Sequence, residues 1–175
     1  MNQPAPTPFA RERIVAILSD PKAVSAYSVG TYKSCMGSDG EAFDATLRLD
    51  GKVVGHVYQS GNGGCNEYHF KSREQNDAFM AWAKAHPVIE WYEANWGFKI
   101  TTEQEDTVFG FLVTLRDIRK RIKKGTFVYA TPDMGPDEFG TAKVGRKVAP
   151  FNANCILWAE KSIAEVVILN TVVAA

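Results

Sequence analysis

From Phe43 the chain alternates apolar and polar residues up to Asp50-Gly51, and this stretch with the turn that ends it restricts the fold more than any other. Phe43, Ala45, Leu47 and Leu49 alternate with Asp44, Thr46, Arg48 and Asp50, the period of a strand with one buried face. Asp50-Gly51 suits a two-residue type I′ turn, in which both central residues take φ > 0. With those residues as the loop, Leu49 faces Lys52, Leu47 faces Val54, Ala45 faces His56 and Phe43 faces Tyr58. Directly opposed residues share a face, so this register places Val54, His56 and Tyr58 on the apolar side. A further strand over residues 66–71 follows Gly61-Asn62-Gly63-Gly64. An earlier one, 28–36, pairs with 43–49 across Gly37-Ser38-Asp39-Gly40. The expectation is an antiparallel meander of three or four strands.

Helical signals surround the meander. Ser72 with Gln75 forms a capping box, and Ala78, Phe79, Trp82 and Ala83 make the buried stripe of a helix that ends at His86-Pro87. Val88 to Trp96 is a short aromatic-rich helix closed by Gly97. Thr102 with Glu105 opens the longest helix, 103–123. Its acidic start and basic end both complement the helix dipole, and Gly125 sits where a left-handed cap is wanted. Val108, Phe111, Leu115, Ile118 and Ile122 form its seam, which Phe109 and Leu112 widen into a core-facing stripe. Gly110 within it costs about 1 kcal/mol of helix propensity, which points to a close backbone contact there. A helix over 8–19 opens at Thr7-Pro8. Toward the end, Phe127 and Tyr129 mark a strand, 131–145 a loop, Ile156, Leu157 and Ala159 a helix capped by Asn152 or Asn154, and 166–169 a strand. The whole reads as a single α+β domain over 9–175 behind a flexible lead, 1–8, with the last strand–helix–strand unit extending the sheet.

With 45% apolar residues in 175, such a chain buries about 70% of its unfolded surface and needs no disulfide scaffold. Its three cysteines are widely spaced and cannot all pair, which suits a reducing compartment. No apolar run approaches the roughly 18 residues of a membrane span, and the start lacks the layout of a secretory signal. The expectation is a cytoplasmic protein that does not enter a membrane.

The set Phe43, Ala45, Leu47, Asp50-Gly51-Lys52, Val54-Gly55, Val57, Gly61, Gly63-Gly64, Asn66, Tyr68 and Phe70 resembles a group of small uncharacterised proteins from bacteriophages and other mobile elements. Lys124 to Phe127, Pro150-Phe151 and Ile168 to Asn170 resemble the same group more loosely. The resemblance implies a setting: an accessory protein in a bacterial cytosol, acting on a host factor such as a defence system. It carries no catalytic residues over to this chain.

Residue by residue, catalytic signatures are missing. There is no Gly-x-Ser-x-Gly elbow, and an enzyme would have to assemble a site near 61–69 from Cys65 with His56 or His69. Gly61, Asn62, Gly63 and Gly64 could present backbone N–H groups to an anion, or simply turn the chain between strands. Cys35, His56, Cys65, His69 and Cys155 lack metal-ligand spacing, so neither a metal site nor a cofactor is read. His56 reads as a core histidine and His69 as a solvated one. Asp133, Asp137 and Glu138 match no calcium loop.

Charge distribution says more. The 20 Lys+Arg and 20 Asp+Glu cancel, yet residues 116–147 hold nine cations and four acids, leaving eleven against sixteen elsewhere. Arg116, Arg119, Lys120, Arg121, Lys123 and Lys124 either decorate a helix C-terminus for solubility or form a landing patch for an acidic surface. Trp82, Trp91, Tyr92, Trp96 and Phe98 either fill the core or supply anchors for a partner. The functional expectation is a non-catalytic protein that occludes a bacterial host protein or protein–nucleic-acid complex, steered by these cations and anchored by Trp91 or Trp96. Direct nucleic-acid binding through the same helix end is the alternative.

Overall fold

A type I′ turn at Asp50 (φ 48°) and Gly51 (φ 80°) joins the two central strands of the sheet. The computed structural model describes residues 26–123, 126–130, 140–143, 156–158 and 166–168. Strands β1 (Tyr27–Met36), β2 (Glu41–Leu49), β3 (Lys52–Gln59) and β4 (Glu67–Phe70) lie side by side in chain order, each antiparallel to the next. The expected meander is therefore present, with four strands.

Its register corrects the expectation for the second half of the hairpin. Leu49 faces Lys52 and Arg48 faces Val53, but Leu47 then faces Gly55, Thr46 faces His56 and Ala45 faces Val57. Val54 is an extra residue, a β-bulge. A one-residue slip sends every later side chain to the other face. Val54 is buried as expected, but Val57 is buried in place of His56 and Tyr58, which face solvent. A second bulge sits in β1, where Gly30 and Thr31 together oppose Thr46. Thr46 Oγ1 accepts from Thr31 N at 2.8 Å. A Cβ at Gly30 would stand 2.5 Å from that same oxygen, so this position requires glycine.

Among the described residues three helices follow the sheet, and two of them pack directly on its strands. In α1 (Arg73–Lys84), Ser72 Oγ accepts from Gln75 N at 3.3 Å, as the capping residues foretell. Phe79 and Ala83 are buried and Trp82 is half-buried, while Ala78, expected in the stripe, is exposed and Met80 packs against the core instead. The buried histidine is His86 and not His56. It caps α2 (Pro87–Trp96), its Nδ1 accepting from Val88 N at 3.2 Å, with Pro87 in the first turn and Gly97 (φ 75°) closing the helix. The longest helix, α3, runs Gln104–Lys123. Glu103 supplies the carbonyl that opens it, accepting from Thr107 N at 3.2 Å, so Thr102 stands one position outside the cap. Val108, Phe109, Phe111, Leu112 and Leu115 are all buried, which is the core-facing stripe. Rings from both layers meet beneath it: Phe79 lies 5.1 Å from Tyr27, Phe43 stacks on Phe109 at 5.5 Å, and Tyr68 meets Phe109 edge-on.

The remaining strands, β5 (Thr126–Ala130), β6 (Gly140–Lys143), β7 (Ile156–Trp158) and β8 (Val166–Ile168), form their own antiparallel sheet, ordered β6-β5-β7-β8. Two expectations fall here. Residues 140–143 are strand within the expected loop, and 156–158 are strand where a helix was expected. Short apolar runs do not reveal their period, and pairing with β5 and β8 decides for strand. These strands build a second sheet and do not extend the first. The lead 1–8, the helix 8–19, and Asp133, Asp137, Glu138 and Cys155 lie outside the described residues. The fold class is α+β, an antiparallel meander packed against helices. Among the described residues, no helix is long and apolar enough to cross a membrane.

Gly110 makes no close contact: a Cβ built there meets nothing within 4 Å, which corrects the expected close approach. Gly110→Ala is expected to stabilise the protein by about 1 kcal/mol, the difference in helix propensity, read as a higher denaturation midpoint. A lower midpoint would show that the position is not open.

Candidate functional site at the two ends of α3

Two side chains tie α3 across the width of the sheet. Near its start, Asp106 accepts from Tyr68 OH (2.8 Å, Oδ1) and Asn66 N (3.0 Å, Oδ2) at edge strand β4. Ten residues on, Arg116 Nε donates to Gly30 O at 2.7 Å, in the bulge of the other edge strand. Ten helical residues rise about 15 Å, and the three gaps of a four-stranded sheet span about 14 Å. The helix therefore crosses the whole sheet, and its last two turns continue beyond the β1 tie.

At the first end, Cys65 Sγ donates to Glu103 Oε1 at 2.8 Å, and Glu105 and Asp106 stand behind it. Ligand atoms of Cys65, Glu103 and Asp106 all lie within 4.8 Å of one another, so this trio could hold a cation. Both Asp106 oxygens, however, already serve Asn66 and Tyr68. The hydrogen bond to Glu103, and then its charge, raise the Cys65 pKa. Reactive thiolates require the opposite surroundings, cations or a helix N-terminus without acids. This thiol is exposed yet held protonated, and offers no activated nucleophile. His69 does not join it. It turns to the outer face of the sheet, where its Nε2 lies 3.6 Å from Glu67 Oε2, while Cys65 turns toward α3.

Next to Cys65, the glycine loop consumes its own polar groups. Gln59 spans it, accepting from Gly61 N at 3.2 Å and donating to Gly64 O at 2.7 Å. Asn62 N donates to Ser60 Oγ at 3.4 Å. The β1–β2 connection docks on it through Asp39 N to Gly61 O (2.8 Å) and Ser38 Oγ to Asn62 Oδ1 (2.8 Å). With Gly61 N and Asn62 N both donating within the loop, the turn reading accounts for Gly61, Asn62, Gly63 and Gly64 better than an anion cradle does.

At the other end, Lys120 and Arg121 are exposed. Arg119 and Lys123 lie in the same turns of backbone with side chains outside the description, and Lys124 is outside the described residues. Arg116, grouped with them by sequence, works within the chain. Its guanidinium bonds Gly30, meets Asp117 Oδ1 at 3.0 Å and lies 5.7 Å from the Tyr32 ring centre. Of the aromatic group, Trp82 packs on the core and Tyr92 is buried, while Phe98 is 59% exposed. Trp91 and Trp96 belong to α2, their side chains outside the description. Glu105 and Lys120 are separated by about 22 Å of helix, several times the roughly 8 Å screening length at physiological salt. Each end thus acts electrostatically on its own.

What sequence reasoning missed is tertiary. The partners of Cys65 and Asp106 lie 38 and 40 residues away in the chain, and no spacing signals them. Comparison with protein families, with curated proteins and with solved structures finds no match.

Because Glu103 suppresses the thiolate, Glu103→Gln is expected to speed alkylation of Cys65 by iodoacetamide several-fold at neutral pH. Site-resolved mass spectrometry, with exposed Cys35 as internal reference, measures the rate. An unchanged ratio would mean that Glu103 does not govern the thiol.

Proposed function

We propose that this chain is a non-catalytic binding protein that places the basic end of α3 on an acidic surface of a bacterial host protein and blocks that surface by occupancy. The observation that carries the reading is the pair of ties at Asp106 and Arg116. They hold the helix at both edges of the sheet and leave exposed Lys120 and Arg121 on the turns beyond. A cationic patch on a fixed element steers encounter and pays little ordering entropy on docking.

Arg119, Lys123 and Lys124 extend the same patch in this reading, and Trp91 or Trp96 on α2 supplies the desolvated anchor that interfaces favour. Arg116 contributes by holding the helix in place. The acid-surrounded thiol supports a binding role, since it removes the nucleophile that an enzyme at this end would need. The bacteriophage setting implied by the 43–70 resemblance belongs to the same proposal, as does a cytoplasmic location. Asp117 among the cations favours a mixed protein surface over a phosphate backbone.

The test uses the full chain as bait in nuclease-treated bacterial lysate at low salt. One host protein is expected at near-stoichiometric amount, lost with added salt and lost in the double variant Lys120→Glu/Arg121→Glu. Capture of nothing stoichiometric, or capture indifferent to the reversal, overturns the reading. Binding only to duplex DNA, with log K falling by roughly 0.9 per phosphate contact against log salt, replaces it with nucleic-acid binding.

A further inference from the structure

The outer face of the first sheet carries a constellation that belongs to neither end of α3. Across it, Thr46, His56 and His69 form one row of directly opposed residues, and Asp44, Tyr58 and Glu67 form the next. Val54 O accepts from Lys71 N at 3.1 Å, which makes 54/71 a hydrogen-bonded pair of the ladder. Such pairs alternate along antiparallel strands, so His56 and His69 are another, with Cα atoms about 5.5 Å apart. The two imidazoles therefore rise side by side from one face.

Both histidines are exposed, so their rings can turn without displacing packed neighbours. Glu67, two residues before His69, shares the face, and its Oε2 already lies 3.6 Å from His69 Nε2. The nearest guanidinium on β2 is directed elsewhere, since Arg48 Nη1 donates to Gly51 O in the turn at 3.2 Å. Glu67 is the acid beside the two imidazoles, whereas Asp44 in its row is opposed by Lys33.

We infer that His56, His69 and Glu67 form a binding site for a divalent late first-row metal ion of the copper and zinc class, which clamps the short edge strand β4 to β3. Imidazole nitrogens take such ions at about 2.0–2.1 Å and carboxylate oxygens at about 2.0–2.2 Å. Two rings and one carboxylate rising from adjacent rows can share one ion, with solvent completing its shell. Imidazole suits copper, nickel and zinc, and affinity follows the order in which copper exceeds zinc. The inference is independent of the proposed binding role. It departs from the sequence reading, which found no ligand spacing: the bulge at Val54 turns His56 outward.

Titration of the tag-free full chain with Cu²⁺ and with Zn²⁺, followed by calorimetry, tests the site. One equivalent is expected for each ion, copper the tighter, with a paramagnetic resonance signal showing two imidazole nitrogens on copper. His56→Ala and His69→Ala each weaken binding by at least about tenfold, since even second-shell losses cost 10–100-fold. Glu67→Gln weakens it less, and Cys65→Ser leaves it unchanged. Absence of binding, retention of affinity in both histidine variants, or loss on Cys65→Ser, which would assign the ion to the Cys65–Glu103–Asp106 trio, overturns the inference.

Discussion

Insertion of Val54 between two otherwise regular stretches of the β2–β3 ladder decides which side chains this protein hides and which it shows. Before the bulge the type I′ turn dictates pairing, and after it every residue of β3 is shifted by one against β2. The shift puts Val57, fully buried, opposite Ala45, also fully buried, so the apolar face closes over α1 and α3 without a polar ring inside it. Unshifted pairing would bury an imidazole and a phenol and expose Val57, at the cost of desolvating polar groups. The hydrophobic face and the turn thus satisfy their separate demands only through an extra residue.

The second bulge, at Gly30–Thr31, does comparable work at the sheet's edge. Thr46 Oγ1 accepts the amide of Thr31, and Gly30 O accepts from Arg116. Arg116 is only 14% exposed in its side chain, and its charge is met by Asp117 and the face of Tyr32. Asp106 performs the matching task at β4, half-buried, with Tyr68 and Asn66 as donors. Burying a carboxylate is tolerable because two hydrogen bonds accompany it. Polar ties at both edges and an apolar stripe between them fix the helix in direction and in rotation. The charge separation along α3 is therefore a property of the fold, oriented relative to the sheet.

Much of this was legible in the sequence, and the illegible parts share a cause. Asp50-Gly51, Ser72 with Gln75, and Gly97 each demand a particular local backbone, and each forms where expected. The alternation in β2 and the widened stripe from Val108 to Leu115 also hold. Val54 carries no such mark. Any residue can occupy a bulge of this kind, and only the competition between core and turn selects it. The same holds for Ile156 to Trp158, whose strand state depends on partners far along the chain. It holds too for Cys65, whose surroundings come from α3. His86, which reads as part of a helix stop, becomes a buried cap because its ring packs against Trp82 and Phe111.

The account stands on the register beyond Val54, and cross-strand nuclear Overhauser effects measure it directly. His56 is hydrogen-bonded toward β4, so its pairing with β2 is of the non-hydrogen-bonded kind, with close Cα atoms, about 4.5 Å apart. The account predicts a strong contact between the Hα atoms of Thr46 and His56. A strong contact of the Thr46 Hα with the Gly55 Hα atoms in its place would contradict it, since 46/55 is the close pair of the unbulged hairpin that returns His56 to the core face.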